Sequence, residues 1–71
     1  MTSLDLTLRG EYIALDALLK ATGLADSGGR ARAVISQGLV QVDGQVETRK
    51  TCKIRAGQRV VYEGQQVNVL A

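Results

Sequence analysis

The sequence predicts one small α+β domain, in which two short helices are followed by a small antiparallel sheet. Two segments with apolar residues at helical spacing are followed by four short segments of alternating apolar and polar residues, and a possible extra strand precedes them. A strong two-residue hairpin signal, Asp43-Gly44, separates the first two of the alternating segments. Helices followed by a run of hairpin-connected strands are typical of the α+β class.

The N-terminal part of the chain is predicted to form an extended segment and then the first helix, which ends at a glycine. Leu4, Leu6 and Leu8 alternate with polar residues, which indicates a strand or an extended arm and leaves open whether the segment joins the sheet. A helix is expected from Tyr12 to about residue 22, and Gly23 stands where a helix-ending glycine belongs. The apolar residues of this helix are Ile13, Leu15, Leu18 and Leu19.

The second helix has a signal at each end. Asp26 or Ser27 can cap its start, and Gly38 ends it after about residue 37. Its inward-facing residues are Ala31, Val34 and Ile35.

The remainder of the chain is predicted to form strands and turns. Strands are expected at residues 39–42 and 45–48 around the Asp43-Gly44 turn, and at residues 59–62 and 66–70 around a turn at 63–65. The sequence RKTCKIRAG, residues 49–57, forms a basic connection between the two pairs of strands.

Length and composition narrow the range of functions. The 71 residues form one domain, residues 1–71, and the single cysteine excludes an internal disulfide and favours a reducing, cytoplasmic location. The N-terminus does not resemble a signal peptide, and no apolar stretch is long enough to span a membrane. With no histidine, one cysteine and no Walker or dinucleotide-binding spacing, we expect no catalytic residue, metal or cofactor.

Positive charge is concentrated in the middle of the chain. Residues 1–29 carry two basic and four acidic side chains, a net charge of −2, whereas residues 30–59 carry seven basic and two acidic ones, a net charge of +5. Such an asymmetry is expected of a surface that binds a polyanion, although a solvated basic face would show the same count.

Two glycines begin the second helix beside two arginines. Gly28 and Gly29 would leave the first N–H groups of the helix uncovered, and these groups attract anions such as phosphate. Arg30 and Arg32 lie about 200° apart around a helix axis, so they flank this end of the helix on different sides. A merely permissive turn is an equally good interpretation of the glycine pair taken alone.

A second basic cluster follows the hairpin. Arg49, Lys50, Lys53 and Arg55 lie within seven residues of a connection that has little to pack, and they indicate a phosphate-binding loop or a solvated loop. Two basic clusters in one small domain, both outside the predicted core, favour the phosphate-binding interpretation.

These features resemble the alpha-L RNA-binding domain named after ribosomal protein S-four, and in particular its small stand-alone bacterial members. The resemblance spans residues 12–61, the core of the motif, and includes the SGG before the second helix and the VETRK after the hairpin. It is specific only as a set of positions: Gly23, Leu24, Ala31, Arg32, Ile35, Gly38, Val40, Val42, Gly44 and Gly57. The chain departs from the family pattern at Ala14, Ala17, Gly28 and Asp43, where many members carry basic residues or asparagine.

The resemblance implies that the second helix, the hairpin and the following loop form an RNA-binding surface. The partner that it implies is structured RNA, either ribosomal RNA or an RNA of a ribosome-assembly intermediate, bound by a monomer without catalysis. The contacts carried over are Lys20, Gly28, Gly29, Arg30, Arg32, Arg49, Lys50, Lys53 and Arg55. Because Tyr12 and Tyr62 are the only aromatic residues and are expected to be structural, stacking on an aromatic sheet platform is not expected.

Three other functions remain open from the sequence. A protein-interaction adaptor would bind an acidic protein surface, and an accessory subunit would deliver RNA to an RNA-modifying enzyme in trans. DNA binding is a weaker alternative, because the second helix is short and has few side chains suited to reading bases.

Overall fold

The computed structural model describes residues 2–71, and this part of the chain forms two helices and seven strands. The helices are α1 (Leu15–Ala21) and α2 (Gly28–Ser36). The strands are β1 (Thr2–Thr7), β2 (Ile13–Ala14), β3 (Val40–Val42), β4 (Gln45–Val46), β5 (Lys53–Ile54), β6 (Arg59–Tyr62) and β7 (Gln65–Leu70). The predicted α+β class and both predicted helices are confirmed.

Five strands form a mixed sheet in the order β1-β7-β6-β3-β4. The pairs β3–β4, β3–β6 and β6–β7 are antiparallel, as predicted for the strands that follow the helices. Strand β1 pairs in parallel with β7, with Leu4 opposite Val67 and Leu6 opposite Val69. The N-terminal segment therefore joins the sheet, beside the strand most distant from it in sequence.

A second, two-stranded sheet corrects two predictions. Ile13 and Ala14 pair with Ile54 and Lys53, so α1 begins at Leu15 rather than at Tyr12, and the basic connection contains strand β5. The apolar residues at the start of the predicted helix fit a helix face and an extended segment equally well. Their pairing with β5 selects the extended form.

The core lies between the two helices and one face of the larger sheet. All three apolar residues predicted to face inward from α2 are buried, as are Leu15, Leu18 and Leu19 of α1. The sheet contributes alternate residues of its central strands: Val40, Val60, Tyr62, Val67 and Val69. This burial confirms the predicted amphipathic faces and fixes the helices in place on the sheet.

The hairpin turn is the one predicted, although its second strand is shorter. Asp43 and Gly44 both have positive φ, 51° and 84°, as a type I′ turn requires. The Asp43 carboxylate accepts hydrogen bonds from the Arg59 backbone N–H at 3.0 Å and from Gln58 Nε2 at 3.2 Å, and these bonds lower the pKa of Asp43. Strand β4 ends at Val46, two residues before its predicted end.

Candidate nucleic-acid interface

Helix α2 starts with Gly28 and Gly29, which have no side chains to cover the backbone. The Ser27 hydroxyl caps the helix by accepting a hydrogen bond from the Arg30 N–H at 3.1 Å, and the first intrahelical bond runs from the Ala31 N–H to the Ser27 carbonyl. The N–H groups of Gly28 and Gly29 precede both donors, so they have no partner within the helix. This end of α2 can therefore bind an anion through its backbone.

The fold does not require glycine at either position. Neither Gly28 nor Gly29 has a positive φ, unlike five other glycines of the chain. A Cβ on Gly29 would meet only the Ser27 Oγ, at 3.9 Å, and a Cβ on Gly28 would meet the mobile end of the Arg32 side chain, at 3.2 Å. What the glycine pair provides is close access to the backbone.

The basic connection at residues 49–57, called the basic loop from here on, is anchored to the start of α1 through its main chain. The Leu15 N–H donates to the Cys52 carbonyl at 2.9 Å, and the Asp16 N–H donates to the Lys50 carbonyl at 3.0 Å. The first-turn N–H groups of a helix lack intrahelical partners, and the loop satisfies two of them here. The position of the loop is therefore fixed by the fold, while the Lys50 side chain stays exposed.

Asp16 also joins the loop to α2. Its carboxylate lies 3.6 Å from Arg32 Nη1, and the Arg32 side chain remains 52% exposed. Because Asp16 contacts Lys50 through its backbone and Arg32 through its side chain, the loop and the α2 start lie side by side. We call the resulting set of residues the basic surface: Gly28, Gly29, Arg32, Arg49, Lys50, Lys53 and Arg55.

Arg49 is held by an acidic neighbour within the same loop. Its Nε and Nη2 atoms donate to the two carboxylate oxygens of Glu47 at 3.0 and 2.8 Å. The Arg49 side-chain and backbone hydrogen bonds lower the pKa of Glu47 to about 2. Half-buried Cys52 lies 3.6 Å from Arg49 Nη2, and burial raises the pKa of its thiol, so the thiolate is disfavoured and Cys52 packs as predicted.

The two remaining cations of the loop lie over an aromatic ring. Lys53 Nζ is 5.0 Å from the centre of the Tyr12 ring, and the Arg55 guanidinium carbon is 5.9 Å from it, both within cation–π range. Tyr12 is 46% exposed, so the expectation that it is structural is wrong, whereas Tyr62 is 4% exposed and belongs to the core as expected. Exposed Tyr12 extends the basic surface by an aromatic residue.

Two of the predicted site residues, Arg30 and Lys20, are not part of the basic surface. Arg30 lines a separate groove with Asp26, Tyr62 and Glu63, on the other side of α2 from Arg32, as the angle between the two arginines predicts. Lys20 is exposed on α1, four residues after Asp16 and on the same helix face. The contacts therefore connect the start of α2 to the loop at Lys50 through Arg32 and Asp16, place Lys53 and Arg55 beside Tyr12 in the same loop, and leave Arg30 separate.

The acidic partners of Arg32 and Arg49 were not predicted from the sequence. Glu47 and Arg49 are two residues apart in an extended segment, and this spacing places both side chains on one side of the chain, so it could have indicated the pair. Asp16 could not be found in this way, because its contact with Arg32 depends on how α1 and α2 pack.

The described chain has neither a membrane-spanning helix nor a candidate metal site. No helix among residues 2–71 is long and apolar enough to cross a membrane. Over the same residues, no group of three or more acidic or cysteine side chains is placed to hold a metal ion.

Comparisons with known proteins agree with the fold. Residues 6–70 match the family model described as the S4 domain. YbcJ of Escherichia coli (strain K12), named as a candidate RNA-binding protein, is 50% identical over 60 residues, which cover 84% of this chain and 86% of YbcJ. The solution structure of E. coli YbcJ, described as revealing an alpha-L motif involved in RNA binding, superposes with a TM-score of 0.71 at 45% identity and covers 100% of this chain and 89% of that one.

A larger protein contains a similar segment. The tyrosine–tRNA ligase of Burkholderia lata is 39% identical over 62 residues, which are 87% of this chain and 15% of the ligase. The similarity concerns that segment of the ligase alone.

Proposed function

The chain belongs to the S4 domain family, and we propose that it is a non-catalytic RNA-binding protein that holds the backbone of structured RNA on its basic surface. The observation that supports this proposal is the main-chain attachment of the loop to α1, since Asp16 contacts the Lys50 carbonyl through its backbone and Arg32 through its carboxylate. The RNA-binding description of YbcJ, at 50% identity, supports the same function.

The cations of the basic surface form two groups: those without a carboxylate partner and those held by one. Among residues 2–71, Lys50, Lys53 and Arg55 have no carboxylate within 4 Å, so their charge is available to attract a polyanion from a distance. Arg32 and Arg49 are instead held by carboxylates, and both side chains remain more than half exposed. An arriving phosphate can bind these oriented guanidiniums through two parallel hydrogen bonds.

The start of α2 contributes backbone donors to the same site. A phosphate bound by the Gly28 and Gly29 N–H groups would lie beside Arg32, since the Arg32 guanidinium lies 3.2 Å from the position that a Cβ on Gly28 would occupy. Contacts of this kind position the RNA backbone without reading bases, so we expect recognition by shape with a modest sequence preference.

The proposal also covers the kind of RNA, the cellular location and the oligomeric state. We infer ribosomal RNA or a ribosome-associated RNA in the bacterial cytoplasm, bound by a monomer, because the basic surface is complete within one chain. The unpaired thiol of Cys52 fits a reducing compartment. Lys20 and Arg30 would contact the RNA at the margins of the surface.

A salt titration tests the proposal. The nuclease-treated protein is titrated with an RNA hairpin and with duplex DNA of the same sequence. Four phosphate contacts predict that log K falls with log[salt] with a slope of about −2.8 to −3.6. The Lys50→Ala variant should lose affinity and reduce the slope by about 0.7–0.9, the value of one contact.

Arg59→Ala is the matched control for the loss of one charge. Val60 and Tyr62 of β6 are buried against the helices, so Arg59 lies on the opposite face of the sheet, away from the basic surface. Its removal should leave both the affinity and the slope close to those of the wild type. Salt-insensitive binding, or equal binding of hairpin RNA and duplex DNA, would contradict the proposal.

The ligase similarity favours a second candidate function. A segment like this chain forms part of an enzyme that acts on tRNA, so the protein could present RNA to an RNA-modifying enzyme in trans. Stable co-purification of such an enzyme after nuclease treatment would support this function. If this protein has no affinity for RNA but co-purifies with an acidic protein, the result would instead indicate an adaptor.

A further inference from the structure

A groove of about 450 Å³ lies next to the basic surface. The end of β1, the segment that follows it and α1 form its walls, with Leu6, Leu8, Ile13 and Ala21 as apolar lining. Arg9 also lines the groove and has no carboxylate within 4 Å among the described residues. The volume falls within the range of about 300–1,000 Å³ that is usual for small-ligand sites.

Tyr12 links this groove to the basic surface. Its ring lines the groove and also lies within 6 Å of Lys53 and Arg55. A ring that is 46% exposed makes little contribution to the core, whereas an aromatic face beside cations is a recurring element of single-stranded nucleic-acid sites. One cation, Arg9, therefore lines the apolar groove, and two more, Lys53 and Arg55, lie close to its aromatic residue.

We propose that this groove binds one unpaired base of the RNA, stacked on Tyr12, while Arg9, Lys53 and Arg55 contact the flanking phosphates. The inference rests on the proposed function and specifies its substrate class as a paired stem with an unpaired nucleotide beside it. An apolar peptide would fit the groove walls, but it would offer no anion to Arg9, Lys53 and Arg55. A nucleotide satisfies the apolar, aromatic and charged groups together.

Two RNAs and three variants test the assignment. The RNAs are a fully paired hairpin stem and the same stem with a single bulged nucleotide, and the wild type should bind the bulged stem about tenfold more tightly. Tyr12→Ala should remove this preference and leave the salt slope unchanged, because stacking releases no counterions. Tyr12→Phe should keep the preference, and Lys50→Ala should weaken both RNAs equally.

Tyrosine fluorescence gives an independent readout. The chain contains two tyrosines and no tryptophan, so Tyr62→Phe leaves Tyr12 as the only fluorophore of that kind. Tyr62 is buried in the core, and this substitution keeps its ring. Base stacking predicts that the bulged stem quenches the Tyr12 fluorescence of this variant and that the paired stem does not.

The outcomes separate this inference from the proposed function. If Tyr12→Ala binds both stems as the wild type does, with a normal salt slope and no quenching in the Tyr62→Phe variant, the stacking site is wrong and RNA binding stands. If the wild type binds neither stem in a salt-dependent way, the proposed function fails, and the stacking site fails with it.

Discussion

Replacement of Gly29 by alanine should stabilise the protein and weaken its binding to RNA. Gly29 lies in α2 without a positive φ, and a Cβ there would meet only the Ser27 Oγ at 3.9 Å, so alanine fits without strain. Alanine at a compatible position stabilises a protein by about 0.4–1 kcal/mol, mainly because it restricts the unfolded chain. For a domain of this size, such a gain corresponds to a rise in Tm of roughly 2–8 °C.

The same methyl group would lie where we expect a phosphate to approach. A hydrogen bond between a backbone N–H and a charged group contributes about 1.5–3 kcal/mol, so its loss predicts at least a tenfold weaker complex. A single substitution should therefore raise the Tm and lower the affinity. Opposite effects of this kind distinguish a functional glycine from a glycine in a permissive turn.

Thermal unfolding and RNA titration of Gly29→Ala, with Ser36→Ala as the control, measure both effects. Ser36 is exposed at the other end of α2, where alanine also raises helix propensity but lies away from the glycine pair. The control should keep wild-type affinity. If Gly29→Ala gains stability and binds RNA as tightly as the wild type, the phosphate does not approach this end of the helix.

Three further predictions concern the acidic neighbours and a turn. Asp16→Asn removes the carboxylate that competes with RNA phosphate for Arg32, so it should raise RNA affinity by up to about fivefold, the strength of an ion pair at 4 Å in water; unchanged affinity would place Arg32 outside the interface. The pKa of Glu47, about 2 in the fold against an ordinary 4.5, means that its contribution to stability is complete above pH 4.5 and is lost as the pH falls through 2. NMR titration of Arg49→Ala should show the Glu47 pKa rising towards 4.5, and a value that stays near 2 would refute the pairing. Glu63 has a φ of 52°, so Glu63→Asn should stabilise the domain by about 1 kcal/mol in urea denaturation, and a loss of stability would count against the strain argument.

Local signals in the sequence were sufficient for the helices and hairpins but not for two of the strand pairings. The Ser27 cap and the Asp43-Gly44 turn depend on neighbouring residues, and both are confirmed. The parallel pairing of β1 with β7 joins the two ends of the chain, and no local pattern specifies such a partner. Strands β2 and β5 have two residues each, too few for a periodic signal.

The candidate site was predictable in its charge and only partly in its arrangement. Two basic clusters and a family resemblance indicated α2 and the loop, and in the structure Asp16 contacts both the Lys50 carbonyl and the Arg32 guanidinium. The exposure of Tyr12 could not be inferred, because it follows from the early pairing of β2 with β5, which holds Tyr12 outside α1. Contacts between segments that are distant in sequence can be identified only from the folded structure.

The most direct test of the account is to map the amide chemical shifts of the labelled protein during titration with the RNA hairpin. The account predicts the largest changes at Gly28, Gly29 and Arg32 and across residues 49–53. The opposite face of the sheet, around Arg59 and Val61, should change little. Maximal changes on that face, with the α2 start and the loop unaffected, would contradict the central claim.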